Sequence, residues 1–148
     1  FWATWCAPCL IELPEIQKLI ETYSKDQKDV LIVALSQDDE PSGLAELRKL
    51  IEKTLAEKAI KLTGTPVGLV GLDPSHSVQD AFKVEALPTV VLLDGKGMVQ
   101  AAHVGVPKGD VSEVSRTLGE AINTLLAGKS LVPEAEEAAP GGPEKPRE

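Results

Sequence analysis

Val30 to Leu35 is an unbroken apolar run between two stretches of helical periodicity, and this arrangement constrains the fold more than any other feature of the chain. A strand that has lost its alternation is the mark of a sheet covered on both faces, as in helix-flanked parallel sheets. Before the run, Leu13, Ile16, Leu19, Ile20 and Tyr23 recur at helical spacing from about Pro8 to Tyr23. Glu15, Lys18 and Glu21 lie between them, and Pro14 is expected to kink the helix because it lacks an N–H and crowds the preceding turn. After the run, Ser36 to Pro41 reads as a polar turn. Leu44, Leu47, Leu50, Ile51 and Leu55 then form the stripe of a second helix, ended by Gly64-Thr65-Pro66.

The remaining elements follow the same logic. Val67 to Leu72 reads as a strand, Asp73-Pro74-Ser75 as a turn, and Val78 to Phe82 as a short helix. Thr89 to Leu93 is a strand rich in β-branched residues. Asp94-Gly95-Lys96-Gly97 signals a hairpin, and Met98 to Val104 is the returning strand. Asp110-Val111-Ser112-Glu113 has the form of a capping box opening a last helix, with Val114, Leu118, Ile122 and Leu125 on its apolar face. The order is an α/β one: a mixed β-sheet flanked by helices on both faces. Phe1-Trp2-Ala3 reads as the tail of a strand, so the first central strand is expected to be mostly missing and the edges of its neighbours exposed. Any export signal or membrane anchor would then lie upstream.

Residues 1–130 are therefore expected to form one domain truncated at its N-terminus, and 131–148 an acidic Pro/Gly-rich tail expected to be disordered. The last sixteen residues hold five Glu against one Lys and one Arg, so they carry part of the net charge of −8. No basic stretch exists to attract a phosphate backbone, which argues against a nucleic-acid partner.

The chain has two cysteines, Cys6 and Cys9, at the strand-to-helix junction. Unpaired N–H groups and the macrodipole at a helix start stabilise a thiolate on Cys6, and Pro8 fits the first turn, where its missing donor costs nothing. Cys9, one turn on, is expected to be more shielded. Side chains three apart on a helix stand about 5–6 Å apart at Cβ. A disulfide needs about 3.5–4.5 Å, so closure requires local adjustment and gives an exchangeable bond. A structural bridge over so short a loop would stabilise little. A metal site needs about four ligands, and His76 and His103 lie at no ligand spacing from the pair, so no metal is assigned.

The stretch Phe1-Trp2-Ala3-Thr4-Trp5-Cys6-Ala7-Pro8-Cys9, continued by Glu12 and Pro14, resembles the active-site segment of thioredoxin-like proteins of the TlpA/ResA type. A second block, Phe82 to Asp94 with Leu87-Pro88-Thr89 at its centre, matches the same family, and the likeness extends from Phe1 to about Leu126. The resemblance implies a thioredoxin-like fold and a thiol–disulfide oxidoreductase with Cys6 as nucleophile and Cys9 as resolving thiol. It implies a cis bond before Pro88, facing the cysteines, and a half-buried Glu12 relaying the proton of Cys9; Glu12 also lies three residues past Cys9, on nearly the same helical face. Trp5, Ala7, Pro8, Leu87, Pro88 and Thr89 would form the docking surface for an extended substrate segment. Trp2 is read as core, and the two histidines as surface or loop residues without a role.

The leading function is then reduction of protein disulfides outside the cytoplasm, in the periplasm or at its membrane, in processes such as cytochrome c maturation. Its cofactor is no more than the redox-active Cys6–Cys9 disulfide. Its partners are disulfide-containing proteins and a membrane thiol electron donor. A cytosolic thioredoxin-like general reductase and a metallochaperone or redox-inert binding module are the alternatives on the same fold.

Overall fold

The computed structural model describes residues 1–40 and 42–133. The tail expected over 131–148 thus lies almost wholly outside the described residues. Its first residues are tied down, because Leu131 N–H donates to Gln100 Oε1 at 3.0 Å. In chain order the elements are α1 (Ala7–Lys25), β1 (Ile32–Ser36), α2 (Leu44–Glu57), β2 (Gly68–Leu72), α3 (Ser77–Ala81), β3 (Thr89–Leu93), β4 (Val99–Val104) and α4 (Glu113–Leu126).

The strands form a mixed arrangement in two halves. β1 pairs with β2 in parallel, from Ile32 opposite Gly68 to Ser36 opposite Leu72, with α2 in the crossover. β3 pairs with β4 antiparallel through the Asp94–Gly97 turn, with an irregularity between Leu92 and Leu93. The Asp94 carboxylate accepts the N–H groups of Lys96 and Met98, and Gly97 supplies the positive φ of 79° that the turn requires.

Phe1 and Trp2 join the halves. Trp2 N–H donates to Leu35 O and Gln37 N–H to Trp2 O, a parallel bridge to the end of β1. On the other side Phe1 and Thr89 exchange two backbone hydrogen bonds (2.8 and 3.3 Å), which is the pattern of an antiparallel hydrogen-bonded pair. Away from this junction an apolar groove of about 790 Å³ separates β1 from β3, with Ile32, Ala34, Val90 and Leu92 among its lining.

The core joins α1, α4 and the strands with α2, whose Leu47, Ile51 and Leu55 are buried in the same cluster. Leu13, Ile16, Leu19, Ile20 and Tyr23 are all buried, as their spacing requires, and so are Val114 and Leu118 of α4. The Tyr23 hydroxyl lies 3.2 Å from Gly119 O and 3.1 Å from Asn123 Oδ1, fixing the α1–α4 crossing. Gly68 is required by close approach, since a Cβ there would meet Leu62 O at 2.1 Å.

Helix α1 runs from Ala7 to Lys25 with Pro14 inside it and the packed apolar stripe on both sides of the proline. Three expectations are corrected. Leu31 and Val33 are largely exposed, so the run from Val30 is not buried on both faces; unbroken hydrophobicity does not say which face a helix covers. Glu15 is buried, not on the polar side, accepting hydrogen bonds from Lys18 Nζ and Ser115 Oγ. The capping box does not form: α4 starts at Glu113 without a side-chain cap, and the Asp110 carboxylate instead takes the Ser112 N–H at 2.9 Å in the preceding turn.

Candidate active site

Cys6 is the N-cap of α1, outside the helix proper, with φ −90° and ψ 98°. The helical i, i+3 spacing therefore does not govern the cysteine pair. The extended backbone at Cys6 brings its Cα to 5.3 Å from that of Cys9, inside the usual disulfide window, and the two sulfurs are bonded. Cys9 N–H also points at Cys6 Sγ (3.3 Å), as a cap donor does. When the bond is reduced, that N–H and the helix N-terminus favour negative charge on Cys6 Sγ. Cys9 is fully buried, and Cys6 is 5% exposed, so Cys9 is the more shielded of the two, as expected.

The segment between Trp2 and Cys6 is positioned by Asp38. Its carboxylate accepts the Thr4 N–H and hydroxyl and the Ser36 hydroxyl, while Ser36 Oγ accepts the Asp38 N–H. Ser36, Gln37 and Asp38 are all buried, so the polar turn expected after β1 begins as part of the interior. Asp38→Ala leaves three donors without their acceptor. It is expected to destabilise the chain by roughly 2–3 kcal/mol, read as a lowered urea midpoint with an unchanged slope.

A groove of about 430 Å³ opens beside Cys6. Trp5, Ala7, Pro8 and Leu87 of the expected docking surface line it, and Trp5 is 70% exposed. The Leu87–Pro88 bond is cis. Pro88 and Thr89 are buried behind the groove rather than lining it: Pro88 O accepts from Gly105 N–H, and Thr89 Oγ1 donates to Ala86 O. Gln37, His76, Gln79, Glu85 and Ala86 complete the lining, and the sequence alone gives none of them a role in the site. A usable signal was their place beyond the carboxyl ends of parallel strands β1 and β2, where α/β sheets bind ligands.

Glu12 does not line this groove. It is buried one turn beyond Cys9, on the side of the apolar groove between the sheet halves. Burial pushes its carboxyl up to about 7, and the amino group of Phe1 pulls it partly back. A carboxyl poised there can hold or release a proton near neutral pH. Among the described residues no group of three His, Cys, Asp or Glu is placed to hold a metal ion. Nor is any helix among them long and apolar enough to cross a membrane.

Comparison with known proteins agrees with this geometry. The family model described as Redoxin matches residues 1–118. The thiol-disulfide oxidoreductase ResA of Geobacillus thermodenitrificans (strain NG80-2) is 31% identical over 114 residues, covering 76% of this chain and 57% of the relative. The thiol:disulfide interchange protein HelX of Rhodobacter capsulatus is 27% identical over 128 residues, covering 86% of this chain and 59% of the relative. The chain spans little more than half the length of the curated relatives it matches. The crystal structure of StoA from Bacillus subtilis superposes with a TM-score of 0.58 at 23% identity, over 81% of this chain and 76% of that one, a likeness of fold. With a thioredoxin-like arrangement of strands and helices, and the cysteine pair at the start of α1, this chain belongs to the redoxin family.

Proposed function

We propose that the chain is a thiol–disulfide oxidoreductase that reduces disulfides of protein substrates. The observation that carries the reading is the Cys6–Cys9 disulfide at the N-terminus of α1, with Cys6 opening onto a groove and Cys9 behind it. In the reaction, the Cys6 thiolate attacks one sulfur of the substrate disulfide. The first substrate thiol leaves and a mixed disulfide forms. Cys9 then attacks Cys6 Sγ, closing the Cys6–Cys9 bond and releasing the second substrate thiol, so two electrons pass to the substrate. Glu12 takes up the proton as Cys9 ionises. A dithiol donor must later return two electrons to the pair.

The groove beside Cys6 would receive the polypeptide flanking the substrate disulfide, with exposed Trp5 and the Ala86–Leu87 backbone as its contacts. Relatives named as thiol-disulfide oxidoreductase and thiol:disulfide interchange protein support the reaction class. Resemblance of the Cys6 to Pro14 stretch to the TlpA/ResA type is what supports a site of action outside the cytoplasm, with a membrane thiol as donor.

Redox equilibration of the chain against glutathione tests the direction of electron flow. A reductase is expected to equilibrate below about −200 mV. A value near −120 mV, that of a dedicated disulfide-forming catalyst, would overturn the assignment.

A further inference from the structure

The groove beside Cys6 has a polar wall that thiol exchange itself does not use. His76 Nδ1 lies 3.2 Å from Gln37 Oε1, and its Nε2 lies 3.0 Å from Asp39 Oδ1. The ring bridges the two side chains. The Gln37 amide nitrogen is buried and has no hydrogen-bond partner among the described residues, so nothing holds the amide in one of its two orientations, and it meets His76 Nδ1 as acceptor or, turned over, as donor. Gln37 is itself 2% exposed, so the side chain it offers to His76 is held by the interior.

The backbone at His76 is also constrained. It sits in the left-handed region (φ 56°) at the turn between β2 and α3. Its N–H donates to Asp73 O, while the Asp73 carboxylate takes the N–H groups of Val78 and Gln79. The ring thus joins two separately built segments, the loop after β1 and the turn before α3, and both border the groove.

We propose that His76 is a positioning residue for substrate: its ring clasps Gln37 and Asp39, and so holds one wall of the groove in the shape that receives the polypeptide around a substrate disulfide. The inference rests on the oxidoreductase reading. Protonation of the ring makes the contact with Asp39 an ion pair, and loss of that proton leaves an uncharged donor in its place. The charged groups around the ring are Asp39 and Asp73 from the neighbouring segments, Asp80 on its own helix and Glu85 in the groove lining. No Lys or Arg is among the residues lining the groove. The hydrogen bond to Asp39, with the charges of Asp73 and Asp80, raises the His76 imidazolium above its ordinary 6.5. The clasp is therefore strongest below that ordinary value and weakens as pH rises through the raised one.

Two measurements on the 148-residue chain test this. Nitrogen NMR of the oxidised protein is expected to show both ring nitrogens of His76 protonated at pH 6, with the titration midpoint above the ordinary 6.5. The Gln37 side-chain amide is expected to shift with the same titration. In steady-state reduction of a short synthetic peptide disulfide dimer, His76→Gln is expected to raise KM about three- to tenfold, the range of one lost polar contact, with the effect in KM rather than kcat. The wild-type KM should climb as the ring deprotonates, and that of the variant should stay flat across the same range. A neutral ring at pH 6, a Gln37 amide blind to the titration, or equal KM values for the two proteins would each overturn the clasp. Wild-type protein that reduces no peptide disulfide at any pH would instead sink the oxidoreductase reading, and the NMR titration would still decide whether the clasp exists.

Discussion

Cys6→Ser is expected to lower disulfide reduction by roughly a thousandfold or more, because a serine hydroxyl does not ionise at neutral pH and cannot form the mixed disulfide. The fold should survive the change. Cys6 acts as the N-cap of α1, with its side chain accepting the Cys9 N–H, and serine is a preferred residue at that position. Cys9→Ser should behave differently. It keeps the nucleophile that borders the groove and removes the resolving thiol, so substrate accumulates on Cys6 as a mixed disulfide that mass spectrometry detects. The pair of variants tests the division of roles, which burial favours: the sulfur bordering the groove attacks, and the one behind it resolves. Turnover by the Cys6→Ser chain near the wild-type rate, or trapping at Cys9 in that variant, would sink the assignment.

Much of the scaffold was legible because it depends on local pattern. The β3 boundaries match, and α1, β1, β2, α3 and β4 fall within two residues of the ranges read from periodicity and turn chemistry. The cysteine pair was legible as well, since two thiols three apart before a helix have few other uses. What escaped depends on contacts between distant segments. Glu15 has the spacing of a surface residue on α1, and only the arrival of Ser115 on α4 makes it interior. Ser36, Gln37 and Asp38 look like a polar turn until Thr4 and His76 supply partners for them. Phe1 and Trp2 read as a strand remnant, but their role as the link between β1 and β3 needs the positions of Leu35 and Thr89. His76 lies thirty-nine residues from Gln37 in sequence, and nothing in the order of residues announces that the two meet.

Glu12 carries the other large expected effect, and it touches stability and chemistry together. Its carboxyl titrates at about 7 in the folded chain against 4.5 for an unperturbed glutamate, chiefly because burial disfavours the charged form. Between those values the unfolded chain has released the proton while the folded chain still holds it. Folding then becomes less favourable as pH rises from 4.5 to about 7, by about 3 kcal/mol in total, and stays at the lower level above. Glutamine fills the same volume and has no proton to lose. Glu12→Gln should therefore melt like wild type near pH 4 and be up to about 3 kcal/mol more stable at pH 8, measured by urea unfolding at the two pH values. Its catalysis should move in the opposite direction. If Glu12 takes the proton of Cys9, resolution of the mixed disulfide slows in the variant and loses its inflection near neutral pH, while formation of the mixed disulfide at Cys6 continues. A more stable chain with slower resolution is the joint outcome that a purely structural role cannot give. An unchanged rate across pH would remove Glu12 from the mechanism, and an equal gain in stability at both pH values would mean that its buried charge is not what costs the fold its stability.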